Sequence, residues 1–223
     1  VVSTEHNTWT SFATATRLVN RVTSRWDDAT FAVSDQTRAS MLGRARKRAV
    51  TLVHGIDVAG TAALAAERDV VRAEFGLSAD AFVIGTVANF REQKDYPNLL
   101  RAARLAVDDG RPWRWLLVGQ GPQEQQIRAL ADELGLGDVV TFTGFRPDGA
   151  RVMAACDVFT LASQWEGLPV ALMEALALGL PVVATAVGGV AETMHDGVDA
   201  VLVPPSDPRA LADGWARVAD DTM

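Results

Sequence analysis

From one end to the other, the chain alternates short β-branched or apolar runs with longer segments of helical periodicity. This alternation limits the possible folds more than any single motif does. The strand-like runs are residues 1–4, 30–33, 49–53, 82–87, 114–118, 139–142, 158–161, 181–185 and 200–203. Helical patterns between them cover 10–25, 36–42, 64–75, 96–108, 123–134, 149–155, 169–178, 191–195 and 208–219. Several strand runs, among them Leu116-Leu117-Val118 and Pro181-Val182-Val183-Ala184, are apolar at every position instead of alternating. A strand apolar on both sides must be covered on both sides, the situation of parallel sheets flanked by helices. The expected class is therefore α/β, with a doubly wound, Rossmann-like parallel sheet. Ligands of such sheets bind beyond the carboxyl ends of the strands, so the loops that leave the strands are where functional residues are sought.

Composition narrows the partners. The 223 residues are 48% hydrophobic and 22% charged, enough apolar material for a packed core. The formal net charge of -7 argues against nucleic acid, which needs a clustered basic face. The one basic cluster, Arg44, Arg46, Lys47 and Arg48, reads as a solvated helix end and loop. The single cysteine, Cys156, lies among apolar neighbours and reads as a small core residue, which fits a reducing compartment. No apolar run is long enough to span a membrane, and the first residues do not have the pattern of a signal peptide. The chain opens on Val1 and directly on a strand-like run, so the first domain is expected to be incomplete. A boundary falls near His54-Gly55-Ile56-Asp57, where a regular βα series begins. Residues 1–50 are expected to end one domain and 51–223 to form a second, itself cut short at its C-terminal end.

Five post-strand segments carry candidate chemistry. Asn89 to Lys94 places Arg91 and Lys94 where two cations could hold a diphosphate, with a pair of solvated loop charges as the alternative. Gly119-Gln120-Gly121-Pro122 allows close backbone approach, but Glu124 stands where a dinucleotide fingerprint needs a third glycine. Thr143-Gly144-Phe145-Arg146-Pro147 could face a base edge with an aromatic or arginine stacked nearby, or be an ordinary turn. In Ser163 to Ala175, Glu166 follows a strand and Gly167 opens the backbone. Pro169 suits a first helical turn, whose free N–H groups and dipole favour an anion. Glu174 falls about one and a half turns into that helix. A carboxylate there is a good acceptor for vicinal hydroxyls, with a loop glutamate and a helix-surface glutamate as the plainer alternative. Gly188-Gly189, before Glu192, reads structurally as a strand-to-helix turn. No His/Asp/Glu set has metal-ligand spacing, so neither metal nor cofactor is expected.

Taken in order, these segments resemble the retaining glycosyltransferases of family 4, which have the GT-B fold. The resemblance runs through Val53-His54-Gly55-Ile56-Asp57, Asn89 to Lys94, Gly119 to Pro122 and Ala155-Cys156-Asp157-Val158. It is most specific in the block from Ser163 to Thr185 that holds Glu166 and Glu174, and in Gly188-Gly189 downstream. It implies that residues 1–50 end an acceptor-side domain and that the remainder binds a nucleotide-sugar donor. Glu166 would contact the donor sugar's hydroxyls, with the Gly167 and Leu168 N–H groups beside it and Pro169 starting the helix. Glu174 would hold the ribose, Lys94 the leaving diphosphate, and Phe145 and Arg146 would lie by the base. Gly121 belongs to the same donor site. In Thr4-Glu5-His6-Asn7, His6 would sit near the transferred sugar. The family often has arginine where Asn89 stands, and Arg91 would substitute for it at the diphosphate.

The implied activity is transfer of a hexose from a nucleoside-diphosphate sugar to an acceptor hydroxyl with retention of configuration, in polysaccharide or glycolipid synthesis. The acceptor, whether a saccharide, a lipid-linked saccharide or a small molecule, is not legible in the sequence. The expected location is the cytoplasm, with peripheral association at the inner membrane face as an option. Two alternatives stay open: a nucleotide-sugar epimerase of similar architecture, and a nucleotide-sugar-binding module or fragment without turnover.

Overall fold

The computed structural model describes residues 1–222 of the chain. In chain order the elements are β1 (Val2–Glu5), α1 (Thr14–Thr23), β2 (Ala29–Ala32), α2 (Asp35–Ser40), α3 (Arg44–Arg48), β3 (Val50–Thr51), α4 (Val58–Ala63), α5 (Arg68–Glu74) and β4 (Val83–Val87). There follow α6 (Tyr96–Asp108), β5 (Arg114–Val118), α7 (Glu124–Glu133), β6 (Val140–Gly144), α8 (Gly149–Met153) and β7 (Val158–Leu161). The last are α9 (Val170–Ala177), β8 (Val182–Thr185), α10 (Gly188–Thr193), β9 (Val201–Val203) and α11 (Pro208–Thr222). They form two compact units, and the chain passes between them more than once. The first comprises Val1–Gly55, Trp165–Pro169 and Val187–Met194, and the second Ile56–Gln164, Val170–Ala186 and His195–Met223.

The larger unit contains the six-stranded parallel sheet, in the order β6-β5-β4-β7-β8-β9. Successive residues of a strand point to opposite faces, and here both faces are buried. Ile84, Trp115, Leu117 and Val183 pack with Leu99 and Leu100 of α6 and Trp215 of α11. Val83, Leu116 and Val118 pack on the other side with Val71, Val152 and Cys156. This two-sided cover is why runs such as Leu116-Leu117-Val118 are apolar at every position. Trp215 also donates from Nε1 to Thr160 Oγ1 at 3.1 Å, which pairs its one polar atom inside the core. The order places β4 between β5 and β7, so the connections run outward in both directions from the β4–β7 pair. That is the switch point of a doubly wound sheet, and ligands of such sheets bind beyond the carboxyl ends there.

At the opposite, amino-terminal edge Asp157 fastens α5 to the sheet. Its carboxylate accepts from Arg72 Nη2 at 2.7 Å, Arg68 Nη2 at 2.5 Å and Val83 N at 2.7 Å. Arg72 is only 3% exposed and also donates to the carbonyls of Ser78, Ala79, Ala81 and Ala155. The helical pattern over 64–75 proves to be broken here. A 3-10 turn, Leu64–Glu67, precedes α5, and α4 lies upstream where no helix was expected. Asp57 caps α4 by accepting from Gly60 N at 3.0 Å. The alanine-rich run 58–66 has too few large apolar residues to display a period.

The smaller unit has a three-stranded parallel sheet, β1-β2-β3, with Val2 opposite Ala29 and Phe31 opposite Val50. Its core is Trp9, Ala32, Met41, Ala45 and Ala49. Trp9 is held by its backbone N–H, which donates to Ser40 Oγ at 2.8 Å. Ser34 caps α2 by accepting from Thr37 N at 3.1 Å. The basic cluster forms a helix of its own, α3, entered through Gly43 at φ 64°. Ala45 is its buried residue, while Arg44, Arg46, Lys47 and Arg48 are exposed.

Candidate functional site

In the larger unit the loops beyond β4, β5, β6 and β7 are tied to one another by backbone bonds. Ala88 N donates to Val118 O at 3.0 Å, Phe90 N to Gln120 O at 2.9 Å and Gln123 N to Phe90 O at 3.1 Å. Gly121 makes this possible, since a Cβ there would lie 2.4 Å from Phe90 O. Asn89 and Arg91 are exposed on the outer part of the β4 loop. Lys94 is half-buried, in the 3-10 turn Glu92–Lys94 that ends the loop.

The sequence reading missed the residue that organises these loops. Asp95 follows Lys94 at φ 45°, a left-handed conformation that a non-glycine residue adopts at a cost. Its carboxylate caps α6 by accepting from Asn98 N at 3.2 Å. It also accepts from Gln164 Nε2 at 3.1 Å and Ser206 Oγ at 3.0 Å, so one side chain joins the loops after β4, β7 and β9. An aspartate just before a helix starting Tyr-Pro is a legible cap, but the two long-range partners are not.

Beyond β6, Phe145 is 62% exposed. Arg146 points its guanidinium into an ion-pair network, donating to Asp148 at 2.8 Å and Glu74 at 2.7 Å. The bond from Arg146 holds the Asp148 carboxyl down to about 2. What this loop presents outward is therefore Phe145. On α9, Glu174 is half-buried, and its carboxylate has no hydrogen bond or ion pair to protein among the described residues. Burial raises its pKa above the usual glutamate value. Such an acceptor is suited to hydroxyl donors.

The smaller unit assembles the other candidates. His6 follows directly on β1, and the segment Trp165–Pro169 packs against it. The contact is backbone to backbone, because a Cβ on Gly167 would lie 2.0 Å from His6 O. From the opposite side come Gly188 and Gly189, the first residues of α10. Cβ atoms on them would lie 1.8 Å from Glu166 O and 1.9 Å from Gly167 O. Three glycines thus let three chain segments stack at backbone contact distance. Glu166 is buried at 4% exposure within this stack, as are Gly167, Leu168 and Pro169. The structure therefore brings His6, Glu166, Gly167, Leu168 and Pro169 together in one unit. It places Asn89, Arg91, Lys94, Gly121, Phe145, Arg146 and Glu174 in the other. Glu166 and Glu174, close together in sequence, fall on different sides of that division.

Two further residues of the smaller unit were not singled out as site residues. The His54 ring lies 5.9 Å from that of His6, and both its nitrogens are buried without a hydrogen-bond partner. Burial and then the neighbouring His6 lower its pKa, while the Leu168 carbonyl pulls the other way without meeting hydrogen-bond geometry. The surroundings of His54 thus favour the neutral imidazole over the charged one. The other is Glu192, whose carboxylate accepts from Asp35 N at 3.0 Å and Gln36 N at 2.6 Å.

A doubly wound parallel sheet with its post-strand loops in one unit, and a parallel sheet with helices in the other, are the parts of a GT-B type protein. Comparison with known proteins gives the family. Residues 67–222 match the profile of the glycosyl transferases group 1, and the chain belongs to that family. It is 33% identical over 186 residues to the 2-deoxystreptamine glucosyltransferase of Streptomyces kanamyceticus, covering 82% of this chain and 48% of that one. It is 35% identical over 152 residues to the lipopolysaccharide core biosynthesis glycosyltransferase LpsD of Rhizobium meliloti, covering 68% of this chain and 43% of that one. Among solved structures, HepE of Anabaena in complex with UDP-glucose superposes with a TM-score of 0.89 at 26% identity, over 99% of this chain and 63% of that one. The chain thus spans about half the length of the curated relatives it matches. No described helix is long and apolar enough to cross a membrane.

Proposed function

We propose that this chain binds a nucleoside-diphosphate sugar and serves transfer of its hexose to an acceptor hydroxyl with retention of configuration, as a family 4 enzyme would. The observation that carries the reading is Glu174, a half-buried carboxylate on α9 with raised pKa and no protein partner among the described residues. A carboxylate held that way is a binding group, and paired ribose hydroxyls are donors that match its two oxygens. A solved structure that superposes on the chain at 26% identity holds UDP-glucose, which supports a donor of this class.

In this reading Lys94, with Arg91 nearby, neutralises the departing diphosphate. Asn89, Gly121 and Pro169 shape the donor site, and Phe145 lies against the base with Arg146 behind it. Glu166 and the Gly167 and Leu168 amides hold the sugar hydroxyls, with His6 beside them. The C1–O bond to the β-phosphate breaks as the acceptor oxygen attacks C1 from the same face. The acceptor's proton passes to the leaving phosphate oxygen, so no side chain need act as base. The positive groups act where charge develops on that oxygen. No metal or cofactor takes part. The proposed setting is cytoplasmic synthesis of a saccharide, lipid-linked saccharide or small-molecule glycoside, at the inner membrane face when the acceptor is lipid-linked.

Calorimetry with UDP- and GDP-sugars, followed by a transfer assay that reads the anomeric configuration of the product, tests the proposal. Binding with retained configuration sustains it. Binding without transfer reduces the reading to a nucleotide-sugar-binding module, and an isomerised nucleotide sugar formed without acceptor reduces it to an epimerase. Absence of binding overturns it.

A further inference from the structure

We infer that Glu192 is a positioning residue for the segment that carries Glu166. The inference rests on the assignment of Glu166 to the donor sugar made above. A helix start leaves its first amides without internal partners. In α2, Ser34 Oγ takes Thr37 N, and the Glu192 carboxylate takes Asp35 N and Gln36 N. Two parallel charge-assisted bonds fix orientation as well as distance, so α10 is locked in register with α2. The receiving end is itself anchored, since Thr51 Oγ1 of β3 donates to Asp35 Oδ1 at 2.6 Å.

What α10 transmits is backbone position. Its first two residues, Gly188 and Gly189, lie directly against the carbonyls of Glu166 and Gly167, and Gly167 in turn lies against His6 O. Gln36 Oε1 flanks Gly188 as well, 3.2 Å from where its Cβ would stand. The route from Glu192 to Glu166 is contiguous and has no slack, because each step is a close backbone approach that tolerates no side chain. Glu192, Asp35 and Gln36 are exposed, so the pair of bonds adds little to global stability. Its effect is local, on the placement of residues 165–169.

The test compares Glu192→Ala, which removes both bonds, with Glu192→Gln, which keeps one carbonyl acceptor and the shape. UDP-glucose and UDP are the probes, together with amide exchange across residues 165–169. Glu192→Ala is expected to weaken UDP-glucose binding about fivefold and Glu192→Gln about twofold, the scale of one charge-assisted hydrogen bond's worth of preorganisation. UDP affinity should stay unchanged and exchange at 166–168 should quicken. A parallel fall in both affinities, no change in either, or unaltered exchange overturns the inference. If the parent chain binds no UDP-glucose, the assignment of Glu166 fails by itself. Amide exchange then decides the positioning alone: faster exchange in Glu192→Ala sustains it, and unaltered exchange overturns it.

Discussion

Gly188 lies against the Glu166 backbone so closely that a Cβ at position 188 would stand 1.8 Å from the Glu166 carbonyl oxygen. Its φ of 55° is in the left-handed region as well. Gly188→Ala therefore adds strain and a clash with backbone that has nowhere to retreat. The expected cost is about 2–4 kcal/mol, read as a shift in denaturant midpoint at unchanged slope. The surviving folded protein should bind UDP-glucose less well while keeping its affinity for UDP. Gly137→Ala is the control, since nothing lies within 4 Å of a Cβ there. Equal losses in the two variants would refute the packing argument.

Glu174 should trade stability against binding. Burial raises its folded pKa above 4.5, so the ionised form is the one the fold disfavours. The sign follows: below pH 4.5 the carboxyl is protonated in both states and costs nothing. As pH rises through the raised folded pKa, an opposing contribution appears and persists at neutral pH. Glu174→Gln removes it, so the melting temperature at pH 7 should rise slightly, the gain being limited by the group's partial exposure. Nucleotide affinity should fall at the same time. In the parent, affinity should decline on acidification while the pH is still above 4.5, and in Glu174→Gln that decline should be missing. A variant that melts lower at pH 7 and binds UDP as the parent does would remove Glu174 from the ribose.

What could be read from the residues alone divides by physical range. Strand β5 and helix α6 match their sequence boundaries to the residue. Leu116-Leu117-Val118 is apolar on both sides, and Asp95-Tyr96-Pro97 is a local start signal. The β4, β5 and β6 loops are legible as strand-end loops because each follows an apolar run. Long-range pairings were not. Nothing local shows that Asp95 reaches Gln164 and Ser206, or that Glu192 reaches α2, since each joins segments from 69 to 157 positions apart. The division between Glu166 and Glu174 is equally hidden, because closeness in sequence says nothing about which unit a loop packs on. Gly188-Gly189 looked like an ordinary turn because the carbonyls it meets belong to residues twenty-two positions earlier.

Asp95 gives an ordering that separates backbone strain from lost bonds. Asp95→Asn keeps a capping oxygen and tolerates the left-handed backbone. Asp95→Gly loses the cap and the bonds to Gln164 and Ser206 but is at ease at φ 45°. Asp95→Ala loses the same bonds and keeps the strain. Destabilisation should rise from Asn to Gly to Ala, reaching about 2–4 kcal/mol for Ala. Denaturant titration of the three variants reads this directly. If Ala proved milder than Gly, the conformation at 95 would not be the strained element.

Asp157 should be purely structural, which makes it a test of where the site is not. It stands just before β7, at the amino-terminal edge of the sheet, while the candidate donor loops leave the carboxyl ends. Removing its carboxylate in Asp157→Ala leaves Arg72 charged and 3% exposed, with only carbonyls for company. It also frees Val83 N at the start of β4. A buried charge left unpaired in this way costs about 3–5 kcal/mol. Arg72→Met in the same background should recover part of that loss, because it removes the stranded charge, and the two changes should be non-additive by about 1–3 kcal/mol. Calorimetry on the folded double variant should return the parent's nucleotide affinity within about twofold, a difference well under the 1.4 kcal/mol of a tenfold change. A large loss of affinity with the fold intact would mean that the amino-terminal edge communicates with the ligand end, and the strand-end placement of the donor site would need revision.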